Sequence, residues 1–247
     1  MIVNYLKDVG KKIPSNSKLV IYVKLKGLID DKSDYKIQAN NLLNMIREFL
    51  RPSEIYVPTF TYTFASKNFF NVNNTSSEVG RFSEEIRNMY NFKRYRTLDP
   101  IFSVVETENG SFSSSNFNDN AFGPISIWER LNNEPHYIVN INLNSPIIST
   151  ELHHLEYKTK VPYRYMKSIK GVVVGWDNIN HEFDYDYYVR DLKINPEWNR
   201  DKLLSACKKH NLVLDYGPIK LFEWTKLSNF LQKKLSYDIN YLINREA

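Results

Sequence analysis

The chain has a single cysteine, Cys207, among its 247 residues. An internal disulfide is therefore impossible, and a cytosolic address is the default expectation. No apolar run approaches the roughly 20 residues that span a bilayer, so no membrane partner is expected. The first residues, Met1-Ile2-Val3-Asn4-Tyr5-Leu6-Lys7, lack the charged-then-apolar order of a signal peptide. Also missing are the glycine-rich loops that cradle phosphates, both the lysine-bearing type and G-x-G-x-x-G. The zincin pattern H-E-x-x-H is absent, because Glu151 precedes both histidines of its segment and no later histidine follows at helical spacing. No metal is expected on that ground. No G-x-S-x-G elbow marks a serine hydrolase. Cys207 shares a helical face with Leu203 and Leu204, as a small buried hydrophobe does, so a covalent cysteine route is not expected.

What is present is an ordinary globular composition, rich in Tyr, Phe and Asn, with a formal charge of +5. That charge favours anionic partners without naming one. The basic residues Lys11, Lys12, Lys24, Lys26, Arg94, Arg96, Lys208, Lys209, Lys233 and Lys234 are scattered, as on a solvated surface, so nucleic acid is not the expected partner.

Residues 19–23 and 55–57 read as buried strands with an amphipathic helix over 37–50 between them, closed by Pro52. Strand–helix–strand is the signature of a parallel sheet with a crossover helix. The polar stretches 63–79 and 110–120 read as loops, and Ser83 as the N-cap of a helix over 83–89. Further strands are expected at 101–105, 137–143 and 212–214, antiparallel strands at 172–174 and 183–189, and helices at 1–9, 124–131, 197–210 and 224–243. No repeat or linker divides the chain. The expectation is one α/β domain over 1–247, a mixed and largely parallel central sheet flanked by helices.

The most informative stretch is Ser149-Thr150-Glu151-Leu152-His153-His154-Leu155-Glu156-Tyr157. On a helix, residues three apart share a face, so His153 can sit over Glu156. A neutral imidazole oriented by a carboxylate can take a proton near neutral pH, as a general base must. The bland alternative is a solvated surface contact. His154 points about 100° away and cannot belong to the same pair; a core or cap role suits it. His136, His181 and His210 are isolated in the sequence.

Five segments, in order, resemble the aminoglycoside 3-N-acetyltransferases. Val57-Pro58-Thr59-Phe60-Thr61 after a strand is similar to their P-T-F-T element. Gly80-Arg81-Phe82-Ser83-Glu84-Glu85-Ile86-Arg87 resembles G-x-x-S-E-x-x-R, and Arg96-Thr97-Leu98-Asp99-Pro100-Ile101-Phe102-Ser103 resembles R-[ST]-x-[HD]-P-x-x-S. Phe122-Gly123-Pro124-Ile125-Ser126 is similar to F-G-x-x-S, and Thr150 to Glu156 matches T-x-x-H-x-x-E. The resemblance covers about residues 15 to 170. It implies an acetyl-CoA-dependent N-acyltransferase working by direct transfer in a ternary complex, with acetyl-CoA or another acyl-CoA as co-substrate. His153 then becomes the base and Glu156 its orienting carboxylate. Thr59 or Thr61 becomes a candidate oxyanion donor, with backbone capping as an equal alternative. Arg96 and Ser103 resemble residues near the cofactor, though Arg96 equally suits a structural ion pair.

One segment departs. Val23-Lys24-Leu25-Lys26-Gly27 replaces the usual His-Ser-Ser-type loop, so Lys24 and Lys26 become candidates for the cofactor phosphates. The basic balance also suits a polycationic drug poorly. The favoured acceptor is therefore a small-molecule amino sugar, nucleotide-linked and destined for a bacterial surface polysaccharide. An aminoglycoside antibiotic is the second reading, and a non-catalytic, basic, nucleic-acid-binding protein is the rival from another class.

Overall fold

In the computed structural model, the described residues are 2–28, 34–90, 95–108, 117–144, 149–194 and 196–244. Arg94 and most of the loop expected over 110–120 lie outside them.

The first strand, β1 (Lys18–Val23), follows a short helix, α1 (Ile2–Gly10). Side chains alternate across a strand: Leu19, Ile21 and Val23 enter a core beneath the helices, while Val20 enters a second core on the opposite face. The crossover helix α2 (Tyr35–Leu50) buries Ala39, Leu42, Leu43, Ile46 and Leu50 on the first of these faces. Asp34 caps its first turn by accepting from the Lys36 N–H, and Arg51 ends it in a left-handed conformation. α1 packs so closely on it that a Cβ at Gly10 would stand 2.1 Å from the Phe49 carbonyl oxygen. Only glycine fits there.

The chain then forms β2 (Glu54–Pro58), α3 (Phe64–Lys67), β3 (Phe69–Asn71), α4 (Arg81–Tyr90) and β4 (Val104–Glu106). The polar stretch 63–79 therefore holds a short helix and a short strand, because Phe64, Phe70 and Val72 bury themselves in the second core. α4 begins at Arg81, so Ser83 sits inside the first turn and does not cap it. α5 (Ile127–Asn133), β5 (His136–Ile141) and α6 (Thr150–Thr159) follow, with Ser126 capping α5 through the Glu129 N–H.

The chain continues with β6 (Arg164–Val174), β7 (Asn180–Arg190), α7 (Arg200–Lys209), β8 (Leu214–Tyr216), β9 (Ile219–Glu223) and α8 (Trp224–Tyr237). The main sheet has six strands in the order β4-β2-β1-β5-β9-β8. It is mixed, as expected, but its parallel part is narrow: only β2, β1 and β5 run parallel, and the strands outside them pair antiparallel. A second sheet, β3-β6-β7, is built on a long antiparallel hairpin that pairs Arg164 with Arg190 and Val174 with Asn180. The antiparallel strands expected around 172–174 and 183–189 belong to this hairpin. The second core, containing Phe64, Trp128, Tyr163 and Tyr185, lies between the two sheets. A third core gathers Leu152 and Leu155 of α6 with Leu203 and Cys207 of α7 and Leu227 and Leu231 of α8. These two cores hold α6 at the ends of β1 and β5.

Candidate active site

α6 carries the pair that its spacing predicts. His153 Nδ1 lies 2.8 Å from Glu156 Oε2. The His153 side chain keeps 26% of its surface exposed, whereas that of Glu156 keeps none. A surface contact would leave both wet, so this is a different arrangement.

Glu156 is held from four sides. Tyr163 O–H and Trp198 Nε1–H donate to Oε1 at 3.2 and 2.8 Å. Arg164 forms an ion pair with Oε2 at 2.7 Å, on the oxygen that His153 also uses. Burial alone would push this carboxyl upward. The His153 hydrogen bond, the Arg164 charge and the Trp198 donor outweigh burial and hold it below the usual carboxylate range. The acid is thus ionised at neutral pH.

For the imidazole, burial and Arg164 act in the same direction, against Glu156, and hold His153 below its ordinary value. It is neutral at pH 7. An ionised carboxylate can only accept, so Nδ1 carries the proton and Nε2 presents its lone pair. The ring rests on Trp198 with centroids 4.4 Å apart, and Nε2 has no hydrogen-bond partner among the described residues.

His153 stands where two cavities meet. The first, of about 620 Å³, is lined by His153 and Trp198 with Arg164, Lys167, Arg190 and Arg200. The second, of about 380 Å³, lies at the carboxyl ends of β1 and β2, where ligands of α/β sheets commonly bind. Val23, Pro58, Phe60, Val79 and Leu143 give it an apolar wall, and Ser83 and Thr150 add hydroxyls. Tyr62, His153, Trp198 and Arg200 belong to both.

The other sequence candidates lie elsewhere. Thr59 is fully buried, and its hydroxyl meets the Ser103 hydroxyl and carbonyl at 3.1 and 3.2 Å. The Thr61 hydroxyl donates to the Pro100 carbonyl. Ser103 donates to the Thr59 carbonyl at 2.7 Å. Arg96 is buried too; it donates to the carbonyls of Val72, Thr75 and Thr59 and to Ser103 Oγ. It stacks on Phe70, and burial brings its guanidinium down to about 9. These four residues form one interior knot tying the end of β2 to the segment before β4, and none lines either cavity. Lys24 and Lys26 are exposed just past β1, outside both linings, with Lys24 Nζ on Asn144 Oδ1 at 2.8 Å.

His154 is sealed inside, its Nε2 2.7 Å from Glu129 of α5. His136, isolated in the sequence, meets Glu151 at 3.2 Å; Tyr22 and Ser149 donate to the same carboxylate at 3.0 and 2.7 Å. This buried cluster anchors the start of α6 to β1 and β5. Cys207 is buried and its thiol is pushed up to about 11, as suits a core residue. Among the described residues, no group of three or more His, Cys, Asp or Glu could hold a metal ion. No helix there is long and apolar enough to cross a membrane.

No protein-family model matches the sequence, and no curated protein matches it. Solved structures do. The YokD protein from Bacillus subtilis matches with a TM-score of 0.69 and 14% identity, over 96% of this chain and 99% of that one. A variant of the aminoglycoside acetyltransferase AAC(3)-IVa, in complex with a gentamicin, matches with a TM-score of 0.71 and 13% identity, over 98% and 91% of the two chains. AAC-IIIb in a binary complex with CoASH matches with a TM-score of 0.71 and 11% identity, over 95% and 96%. The chain has the aminoglycoside acetyltransferase fold. The match spans nearly the full length of both chains in each case.

The acetyltransferase-like fold leaves three site residues that sequence reasoning passed over: Tyr163, Arg164 and Trp198. Tyr163 and Arg164 had a faint local signal. Lys160 ends α6 in a left-handed turn that folds the following residues back over the last helical turn. Trp198 reaches Glu156 from 42 residues away and had none.

Proposed function

We propose that this protein is an acyl-CoA-dependent N-acyltransferase, most simply an N-acetyltransferase, acting on the amine of an amino sugar. The observation that carries the reading is the free Nε2 of a neutral His153, backed by a caged carboxylate, at the junction of two cavities. Two substrates in adjoining cavities could meet at that atom without a covalent enzyme intermediate.

In this mechanism the thioester arm of the acyl-CoA occupies the apolar cavity at the sheet ends, and the acceptor occupies the wider one. The amine nitrogen attacks the carbonyl carbon. As the N–C bond forms, the nitrogen's proton becomes acidic and passes to Nε2. Collapse of the tetrahedral adduct breaks the C–S bond, and the imidazolium returns the proton to the departing thiolate. Glu156 steadies the imidazolium while it lasts.

The acceptor is read as a nucleotide-linked amino sugar serving a bacterial surface polysaccharide, because the chain's formal charge of +5 suits an anion better than a polycation. The gentamicin bound to AAC(3)-IVa favours the second reading, an aminoglycoside acceptor. Thiol release from acetyl-CoA, measured with nucleotide-linked amino sugars and with aminoglycosides, separates the two. Turnover that His153→Ala leaves at near wild-type rate would remove the base from the mechanism.

A further inference from the structure

Four basic side chains from three elements converge on the wider cavity, where a scan of the sequence finds only scattered charge. They are Arg164 on β6, Lys167 on β6, Arg190 on β7 and Arg200 at the start of α7; Glu197 is the one carboxylate in that lining. Two of the four are already engaged. Arg164 is held by Glu156 at 2.7 Å, and Arg190 meets Glu197 at 2.8 Å. Lys167 and Arg200 are different: neither side chain makes a hydrogen bond or ion pair among the described residues. Both are exposed to the cavity, and neither bonds to the His153–Glu156 pair, although the Arg200 charge adds to the lowering of His153.

The surroundings of these two cations are aromatic. Tyr165 is two residues before Lys167 on the same strand and 52% exposed, so the two share a face. Across the hairpin Lys167 pairs with Tyr187, which also lines the cavity and packs on Phe102 at 5.8 Å. An unpaired ammonium and an unpaired guanidinium in a concave wall attract anions strongly, and the guanidinium matches phosphate oxygens bidentately. Flat phenol rings beside them offer a surface on which a nucleobase can stack. A polycationic acceptor would find the opposite: repulsion from both free charges.

Resting on the reading of this site as an acyltransferase, we propose that Lys167 and Arg200, with Tyr165 and Tyr187, form an acceptor subsite for a nucleoside diphosphate, whose sugar amine then lies at His153. The cations have a second effect. Positive charge beside the amine favours its neutral form over the ammonium, and only the neutral form attacks.

The test uses the full chain, UDP, dTDP, GDP and CDP as ligands, and Lys167→Gln and Arg200→Gln as variants. One of the four diphosphates should bind the wild type in calorimetry, and acetyl-CoA should leave that binding within about twofold. Each variant should weaken it roughly tenfold, the scale of one lost charged contact. In turnover, the KM for the matching nucleotide-linked amino sugar should rise by the same factor in both variants, and in Lys167→Gln, whose side chain lines only the wider cavity, the acetyl-CoA KM should stay within about twofold. Sugar 1-phosphates form a separate arm: turnover with these at equal KM would show that phosphate alone is read and would overturn the nucleoside part of the claim. Displacement of the diphosphate by acetyl-CoA, or variants that raise only the acetyl-CoA KM, would move the cations to the donor side and overturn the inference. Binding of none of the four diphosphates would also overturn it. Diphosphate binding that the variants abolish, without turnover of any amino sugar, would keep the subsite and sink the acyltransferase reading instead.

Discussion

The two cavities that meet at His153 are built from opposite materials. The one at the ends of β1 and β2 has walls of Val23, Pro58, Phe60, Val79 and Leu143, whereas the one against the β6–β7 hairpin adds Arg164, Lys167 and Arg190 and several tyrosines to the Arg200 that both share. The first is set by the parallel strands at the centre of the main sheet. The second depends on the long hairpin and on the first residue of α7, parts of the chain brought together by tertiary structure alone. An apolar groove can take a neutral arm and reject little. A charged groove discriminates, since wrong charge costs more than wrong shape. Selectivity should therefore reside with the hairpin, and the acyl donor with the sheet.

The largest expected effect removes the shared wall. His153→Ala should lower kcat by roughly 10²–10⁴-fold, the usual worth of a positioned base, whichever acceptor is used. Steady-state thiol release measures it, and a loss confined to one acceptor would mean that the residue binds and does not transfer protons.

Next comes Glu156→Gln, with a loss of about 10²-fold, at the low end of that range. The variant also shifts the pH profile in a definite direction. Glu156 raises the imidazole's proton affinity, so its removal moves the acidic limb of kcat to still lower pH than in the wild type, whose limb already lies below about 6.5. A shift upward would contradict the hydrogen-bonded pair.

Filling the apolar side should separate the cavities more gently. Leu143→Trp is expected to raise the KM for acetyl-CoA by about tenfold, the scale on which a hydrophobic pocket senses added bulk, while the acceptor KM stays put. Equal changes in both constants would show that the donor and acceptor share one groove.

The smallest effect is on stability. Glu151 and Glu156 are held below the ordinary carboxylate value, so their contribution is present above about 4.5 and fades as pH falls through their folded values. His153 and His154 are also held low, so below about 6.5 the unfolded chain takes up protons that the folded one refuses. All four favour unfolding in acid. Asp99, raised by burial, works the other way. Melting temperature should fall steadily from pH 7 to pH 4, and a profile flat below 6.5 would contradict the buried pairs.

Much of the central sheet was legible because buried strands write themselves as short apolar runs: 19–23 and 55–57 both became parallel strands flanking a 3.6-period helix. The His153–Glu156 pair was legible for the same reason, since three residues apart on a helix is a local rule. Direction of pairing is not local, and the antiparallel strands at both ends of the sheet gave no sign of it. Nor is the fate of a hydroxyl. Thr59, Thr61 and Ser103 look available in sequence but are spent on backbone carbonyls and on one another. Isolated charges misled in both directions: Lys24 and Lys26, adjacent to a strand end, stay outside the cavities, while Arg164, Lys167, Arg190 and Arg200 converge from distant positions.

Arg96 bears on the order in which this protein assembles. Its guanidinium grips carbonyls 21, 24 and 37 residues upstream and a hydroxyl 7 residues downstream. The complete grip forms only when all of those segments have arrived, and once it has formed, none leaves alone without costing the buried cation a partner. The stretch from the end of β2 to the start of β4 thus behaves as a single latch. Its amides at Thr59, Thr61 and Glu78, each bonded to a carbonyl in this region, share one opening event and report a common opening free energy in hydrogen exchange.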